Sequence, residues 1–343
     1  MKKIVYTVLV LIVSAIIVAG GAWAKDKKGH KKKDIPFRVA ELEANVAELE
    51  ATVARLKSAL AKVQLNPVMD LGPYVYVDEN TINALNGPHV IFHGVNLHVV
   101  NSTGKTGEPG FPPNGLGNLI VGYNEEPDGV MDVGDRGGSH NLIVGKMHRY
   151  PHVGGFVAGR WNTISGPYSS VSGGTANEAS GLFSSVSGGG FSMASGVGSS
   201  VSGGRENVAS GINSSVSGGI LSVASGNGAS VSGGAYNVAS GDESSVSGGV
   251  FNTASDEHSS VSGGDKNTAS GIQSSVSGGV FNTASGNNSS VSGGAHNEAT
   301  NDESSVSGGV SNIASGGSSS VSGGVGNEAA DYGSWAACGN FCQ

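Results

Sequence analysis

Two patterns of apolar residues divide the chain. Between residues 39 and 63 the apolar positions alternate at spacings of three and four, which is the heptad of a coiled coil. The core positions are Val39, Leu42, Val46, Leu49, Val53, Leu56, Leu60 and Val63. This spacing predicts a helix that associates with other copies, the alternative being one amphipathic helix packed on its own domain. Simple rules for Val and Leu at these positions favour a coiled coil of two helices, but the sequence does not fix the number of helices.

From Ser169 onward the pattern becomes a short repeat of constant length. Eleven units with the consensus S-S-V-S-G-G-x-x-N-x-A-S-G-x-x fill residues 169–333, with Val at the third position and Ala at the eleventh in every unit. A short fixed period indicates a solenoid in which each unit makes one turn. The sequence therefore predicts a mostly β fold, a parallel β-roll or β-helix whose 15-residue rungs each hold two short strands and two turns.

The alternation of side chains along each short strand predicts which residues face inward. Val and Ala should form internal ladders, with Asn on the same face as Ala. The structural ladder residues of two representative units are Val171, Asn177, Ala179, Val246, Asn252 and Ala254. Asn is missing from the ninth position only at Ser192 and Ser222. This series predicts a buried Asn ladder, and the alternative is that Asn merely favours a turn.

Glycine and the outward residues predict the corners and the contacts of each rung. Gly173-Gly174 should form the first corner and Gly181 the second, because Gly adopts positive φ without steric cost. One Val and one Ala per rung bury too little apolar surface to offset the ordering of a whole rung. We therefore expect outward apolar residues to pack against other copies; these are Phe191, Ile220, Leu221, Tyr236, Val250, Phe251, Val280 and Phe281.

The chain between the heptads and the repeats is less regular. Residues 74–77 predict one strand, and residues 89–100 predict two more, broken at Gly94. The segments 117–122 and 140–145 resemble each other and predict imperfect rungs. Residues 154–168 align with the 15-residue unit as a degenerate twelfth copy. At the other end, Trp335 and Ala336 replace the second Ser and the Val of the unit, which predicts a cap on the stack.

The N-terminus has the features of an export signal. Lys2 and Lys3 precede the apolar run 4–18, and Ala22-Trp23-Ala24 fits a cleavage site, so we predict a cleaved secretory signal and an extracellular or cell-surface location. An uncleaved anchor is the alternative, but a span needs about 20 apolar residues. The predicted domains are a signal peptide (1–24), a basic linker (25–38), a coiled coil (39–63), an irregular β region (64–153), the repeat solenoid (154–333) and a C-terminal cap (334–343).

Charge and cysteine content limit the partners. The chain has a formal net charge of −8, and the eleven repeats hold twelve acidic but only two basic residues, which argues against nucleic acid as a partner. The lysines before residue 34 predict a solvated tail, or contact with an anionic cell surface. Cys338 and Cys342 are the only cysteines. In an oxidising compartment they would form either a local disulfide or a bridge between chains.

The sequence contains no strong candidate for a catalytic or metal-binding site. No nucleophile–base–acid set is recognisable, so we expect no enzyme activity and no cofactor. A loop that could hold Ca²⁺ contains Glu125, Glu126, Asp128, Asp132 and Asp135. Its spacing is not that of an EF-hand, and an ordinary solvated loop is the favoured interpretation. Two histidine pairs are spaced for metal ligation, although edge or surface histidines are the simpler interpretation: His89 with His93, and His148 with His152.

These residues resemble a known family. Ser-Val-Ser-Gly-Gly followed by Asn-x-Ala-Ser-Gly is similar to the YadA-like head repeats of trimeric autotransporter adhesins, and Asn-Leu-Ile-Val-Gly at 118–122 and 141–145 resembles a less regular form of the motif. The resemblance covers about residues 117–340. It implies a left-handed parallel β-roll with three chains side by side. Family members carry the coiled coil after the head and end in a membrane-anchored barrel, whereas here the coiled coil comes first and we expect no C-terminal anchor.

The expected function is structural and adhesive. We expect a secreted or surface-associated, fibre-like homotrimer that presents rows of Ser, Asn and acidic residues to an extracellular-matrix or cell-surface ligand, where weak contacts add by avidity. One alternative is an ice- or crystal-binding solenoid whose hydroxyls match a lattice. The other is a phage-type tail fibre or carbohydrate-binding protein. The sequence does not identify the ligand.

Overall fold

The computed structural model has two compact units, which divide between Leu97 and His98. The residues that it describes are 35–64, 71–82, 84–107, 112–123, 125–126 and 136–337. The predicted signal peptide lies outside these residues, as do Cys338 and Cys342.

The first unit holds one long helix and one hairpin. Helix α1 spans Ile35–Gln64, where Ala, Glu and Leu are frequent and favour helix. Strands β1 (Val75–Asp78) and β2 (His89–Phe92) pair antiparallel, with Val75 opposite Phe92. The strand predicted after Gly94 is wrong, because residues 95–100 form none.

The second unit is a parallel solenoid with two main sheets. The serine–valine sheet has 15 strands, in chain order along the stack. They are β3 (Leu119–Val121), β4 (Leu142–Lys146), β5 (Phe156–Arg160), β7 (Ser170–Val171), β9 (Ser185–Val186), β11 (Ser200–Val201), β13 (Ser215–Val216), β15 (Ser230–Val231), β17 (Ser245–Val246), β19 (Ser260–Val261), β21 (Ser275–Val276), β23 (Ser290–Val291), β25 (Ser305–Val306), β27 (Ser320–Val321) and β29 (Trp335–Ala336).

The alanine sheet has 12 strands, again in chain order along the stack. They are β6 (Thr163–Ile164), β8 (Glu178–Ala179), β10 (Met193–Ala194), β12 (Val208–Ala209), β14 (Val223–Ala224), β16 (Val238–Ala239), β18 (Thr253–Ala254), β20 (Thr268–Ala269), β22 (Thr283–Ala284), β24 (Glu298–Ala299), β26 (Ile313–Ala314) and β28 (Glu328–Ala329). A further column of single parallel bridges joins the seventh residues of successive units, from Thr175 to Val325. The predicted parallel solenoid is therefore confirmed.

The core is a narrow strip between the two sheets. Val171 and Ala179 are 0% exposed, and each pairs in register with its equivalent in the next unit. Val246 and Ala254 are buried in the same way and stack on Val261 and Ala269. Because successive rungs present the same side chain at the same height, each inner position becomes a ladder of identical groups.

Residues with a left-handed backbone conformation form the corners of each rung, at three positions of the unit. Only one of these positions is glycine in every unit. Gly174 has a φ of 83°, as predicted for the first corner. The eighth and fifteenth positions also have positive φ, in Phe251 (56°) and His258 (55°) for example. Gly181 does not have a positive φ, so the prediction for the second corner is wrong. A Cβ on Gly181 would instead approach the carbonyl oxygen of Gly196 in the next rung, so its small size favours close stacking.

The rungs that lead into the column differ in length from the repeats that follow. Leu142 pairs with Phe156 and Phe156 pairs with Ser170, so each of these two rungs is one residue shorter than a repeat. Val157, and not Phe156, therefore occupies the place of the repeated Val. The full-length alignment predicted for residues 154–168 is wrong in this half-rung, because the chain there has one residue fewer between the strand and the corner.

Candidate functional site

The Asn ladder runs inside the column and satisfies the backbone of the corners. Asn252 is fully buried, and its side-chain Nδ2 donates to the carbonyl oxygens of Gly248 and Gly264, both at 2.9 Å. Its Oδ1 accepts the backbone N–H of Asn267 at 2.9 Å. Asn177 makes the equivalent bonds to glycine carbonyls of its own corner and the next. The expected surface row of Asn is therefore wrong, since these amides face inward and support the fold.

Serine replaces Asn in two units and keeps only part of this network. The Oγ atoms of Ser192 and Ser222 accept the N–H of the next Asn at 3.3 and 3.4 Å. Each hydroxyl donates to the carbonyl oxygen of the seventh residue of its own unit, Gly190 or Ile220, at 3.4 Å, and not to the fifth-position carbonyl that the Asn amide bonds. The ladder continues through these rungs with longer bonds.

His148 takes the Asn position in the entry rung, which the sequence did not reveal. Its ring is 0% exposed, so the expectation of an edge or surface histidine is wrong. Nδ1 accepts the N–H of Asn162 at 3.3 Å, and Nε2 donates to the carbonyl oxygen of Val144 at 3.1 Å. Burial lowers the pKa of His148, with Arg136 adding to the effect. Both ring nitrogens already have backbone partners, so pairing with His152 as a metal ligand would break the ladder.

The buried serines at the first position are packing residues. Ser169 and Ser214 donate to the carbonyl oxygens of Gly166 and Gly211, at 2.7 and 2.8 Å. Other hydroxyls of this row, such as that of Ser184, are buried without a partner. Alanine occupies the same position at residue 229 and is also fully buried. A methyl group thus suffices here, and the row contributes no accessible hydroxyl.

Three exposed rows of the column differ in their chemistry. The first is the Ser–Gly strip, the fourth and fifth positions of each unit from Ser172-Gly173 to Ser322-Gly323. Every serine of this strip is exposed. The two others, an aromatic ridge and an acidic corner, lie at the eighth position and at the fourteenth and fifteenth positions.

The aromatic ridge is a continuous stack of exposed side chains: Leu221, Tyr236, Phe251, Lys266, Phe281 and His296. Tyr236 and Phe251 stack with ring centroids 4.6 Å apart, and Phe281 and His296 stack at 5.0 Å. The Lys266 ammonium lies between these pairs, 4.7 Å from the Phe281 ring centroid. Since the ring faces cover one another, the ridge presents ring edges to its surroundings.

The acidic corner consists of Asp242, Glu243, Glu257, Asp302 and Glu303, all exposed. It carries a second ladder, in which the Oδ1 of one unit accepts the backbone N–H of the unit before it. Asp242 accepts from Asn227 at 2.9 Å, and Asp302 accepts from Asn287 at 3.1 Å. His258 lies 3.3 Å from the carboxylates of both Glu243 and Glu257. This corner carries negative charge in three of the eleven units.

The remaining candidates for metal chemistry do not assemble within the described residues. There, no group of three His, Cys, Asp or Glu side chains is placed to hold a metal ion. The Nε2 of His89 lies 3.2 Å from the carbonyl oxygen of Leu85. Glu125 and Glu126 are exposed, whereas Asp128, Asp132 and Asp135 lie outside the described residues.

Comparison with known protein families and with curated proteins finds no match to this chain. Within the described part of the chain, no helix has the length and apolarity that crossing a membrane requires.

Proposed function

We propose that this chain forms an exported, non-enzymatic homotrimer with a coiled-coil stalk and a left-handed β-roll body, and that it acts in adhesion or in an extracellular matrix. The handedness and the number of chains rest on the resemblance to YadA-like head repeats. The export signal rests on the sequence alone.

The observation that carries the proposal is the bare heptad seam of α1. All eight core positions, from Val39 to Val63, are between 39% and 64% exposed in the single chain. A helix that leaves a complete apolar seam in water gains stability when equivalent helices cover it. Association through this seam would give several columns in one particle, which is what a multivalent surface needs.

The rows of the column support an adhesive role. The acidic corner recurs along several rungs, so a ligand with repeated basic or polar groups would make many weak contacts at once. Several columns in one assembly multiply this number, and effective affinity rises without any strong individual site.

The test compares assembly and adhesion in matched variants. Sedimentation equilibrium should give three times the chain mass. Leu49→Asp with Leu56→Asp should give monomers, and binding to collagen-coated surfaces and to whole cells should fall by at least about a hundredfold through lost avidity. Ala51→Asp with Ser58→Asp, on the outer face of the helix, is the control and should change neither. A stable monomer of the unsubstituted chain would overturn the proposal.

A second candidate, a crystal-binding solenoid, is favoured by one observation. The second and fourth positions hold Ser in all eleven units, on either side of the buried Val, and so form two unbroken rows of hydroxyls. Such rows have the regular spacing that matching to a crystal lattice requires. Thermal hysteresis of the purified protein in ice would support this candidate, and its absence would remove it.

A further inference from the structure

The Ser–Gly strip is constant although the chain itself gives little reason for it. Its serine hydroxyls make no hydrogen bond within the described residues, except that Ser322 accepts from Trp335. A Cβ added to Gly203, Gly218 or Gly233 would meet nothing within 4 Å. Seven of the eleven glycines in this row also lack a positive φ. Space and backbone conformation would therefore allow larger residues in most rungs.

Other positions of the repeat tolerate variation, even where a side chain is crowded. A Cβ at the thirteenth position would crowd the next rung, yet Asp256, Asn301 and Asp331 occur there. The twelfth position follows the buried Ala as the fourth follows the buried Val, and it holds Thr300 and Ala330 as well as Ser. The restriction on the Ser–Gly strip is thus not imposed by the column, and a close neighbour outside the chain explains it.

The aromatic ridge has the opposite character on the same rungs. Its residues are large and exposed, with Phe251 at 47% and Phe281 at 42% exposure, and its stacked rings are already held in position. Large exposed apolar side chains that line up over several rungs indicate a contact surface. The ridge has the same rung period as the strip, so a contact made once can recur along the stack.

We propose that the aromatic ridge of one chain packs against the Ser–Gly strip of a second copy. Only a partner with the same rung spacing keeps its side chains in register over several rungs, and the chain itself is such a partner. Small residues let the ridge approach the backbone of the strip, and serine hydroxyls accept from the Lys266 ammonium. The contact is heterologous, joining different surfaces of neighbouring copies, and such contacts close into a ring where the rotation between copies allows it. This inference rests on the self-assembly in the proposed function and specifies its surfaces.

The test measures thiol labelling in the full-length assembled protein. Ser232→Cys lies in the strip, and Ser240→Cys is the matched control, an exposed serine beside the alanine sheet in the same unit. Reaction with a maleimide should be slower by at least about tenfold at position 232 than at position 240, and equally fast at both after unfolding. Phe251→Cys should be protected like position 232. The unsubstituted protein gives the background from Cys338 and Cys342.

The other outcomes separate this inference from the proposed function. A trimer that labels equally fast at positions 232 and 240 would overturn the contact but leave self-assembly intact. Protection of position 240 alone would place the interface on the alanine sheet and also overturn it. A monomer in sedimentation would remove both proposals.

A second pair of variants tests the contact by size. Ser232→Trp should lower the midpoint of thermal unfolding by several degrees, because the indole prevents the ridge of the neighbour from packing on the strip. Ser240→Trp should change the midpoint by no more than about a degree. Equal midpoints for the two variants would count against the contact.

Discussion

The entry rungs and the repeat column build the same solenoid by different means. In the column the backbone hydrogen bonds recur from unit to unit, and so do the amide bonds of consecutive Asn residues such as Asn252 and Asn267. The entry rung 141–154 has side-chain bonds of its own instead: Asn141 Nδ2 donates to the carbonyl oxygen of His152 at 2.9 Å, and Arg136 Nε donates to that of His148 at 3.3 Å. Repetition makes the units of the column interchangeable, while the entry depends on particular side chains. The free energy of unfolding of a stack of equal units is the sum of one term for each unit and one for each interface between neighbours. The entry rungs are not equal units, so this sum does not describe them.

Deletion of one rung gives the largest expected difference between the two regions. Removing residues 244–258 joins two equal units, so each lost bond is replaced by the unit behind it. Removing residues 141–154 takes away Asn141, His148 and the carbonyl oxygen to which Arg136 donates, which no other rung replaces. Circular dichroism and thermal scans should show a folded column with a slightly lower midpoint in the first variant. The second should lose cooperative folding of its N-terminal rungs. Equal midpoints would show that the entry is an ordinary repeat.

Within the column, the Asn ladder should be the most sensitive single position. Asn252→Leu keeps the volume but leaves the carbonyls of Gly248 and Gly264 and the N–H of Asn267 without the amide. We expect the free energy of unfolding to fall by at least about 3 kcal/mol, because several buried polar groups lose their partner. Asn252→Ser restores what the two natural serine rungs have and should cost about half as much. Chemical denaturation measures both, and equal losses would contradict a ladder role for the amide.

The sequence was sufficient for the column because one period carries its information. The unbroken Val and Ala series, with strand parity, places Val171 and Ala179 inward, and there the structure has them. The short entry rungs escaped this reasoning, because a rung with one residue fewer changes only the spacing between Val157 and Gly159 and no consensus letter. His148 was missed for a similar reason: it stands where Asn stands elsewhere, but only the correct spacing shows it.

The corners and the outer rows were less predictable. Positive φ at Phe251 and His258 is set by the stacking of rungs, against the usual preference of these residues, so propensity gives no signal. A hint lay in the fifteenth position, where Asn or Gly occurs in several units. The outer ladder of Asp242 and Asn227 depends on contacts between rungs, which residue types alone do not specify.

Glycine at the sixth position should be the next most sensitive site. Gly249 has a φ of 85°, and a Cβ there would lie 2.2 Å from the carbonyl oxygen of Gly264. Gly249→Ala should therefore cost about 2 kcal/mol. Gly190→Ala is the control, since its Cβ would meet nothing closer than 3.6 Å and Ala235 occupies the same position naturally. Urea unfolding should show no loss for the control, and a loss there would mean that contacts between copies decide instead.

The smallest effect concerns acid and the entry rung. The Nδ1 of the neutral His148 ring accepts a hydrogen bond from the N–H of Asn162. A proton on Nδ1 would remove this acceptor and place two N–H donors in contact. Because burial lowers the pKa of His148 in the folded state, the unfolded chain takes up the proton first. Stability is thus complete above pH 6.5, the ordinary pKa, and falls as the pH drops below it until the folded pKa is passed. Hydrogen exchange of the entry rungs between about pH 5 and 8 measures this change.

His148→Asn separates titration from packing. Asn already serves the next rung at Asn162, where its Nδ2 donates to the carbonyl oxygen of Ala158 at 2.6 Å. The variant should keep the ladder and lose the fall in protection below pH 6.5, while rungs around Asn252 should show no such fall in either protein. A fall of equal size in the variant would assign the acid response to the carboxylates and not to His148. In that case the entry and the column would differ in spacing alone.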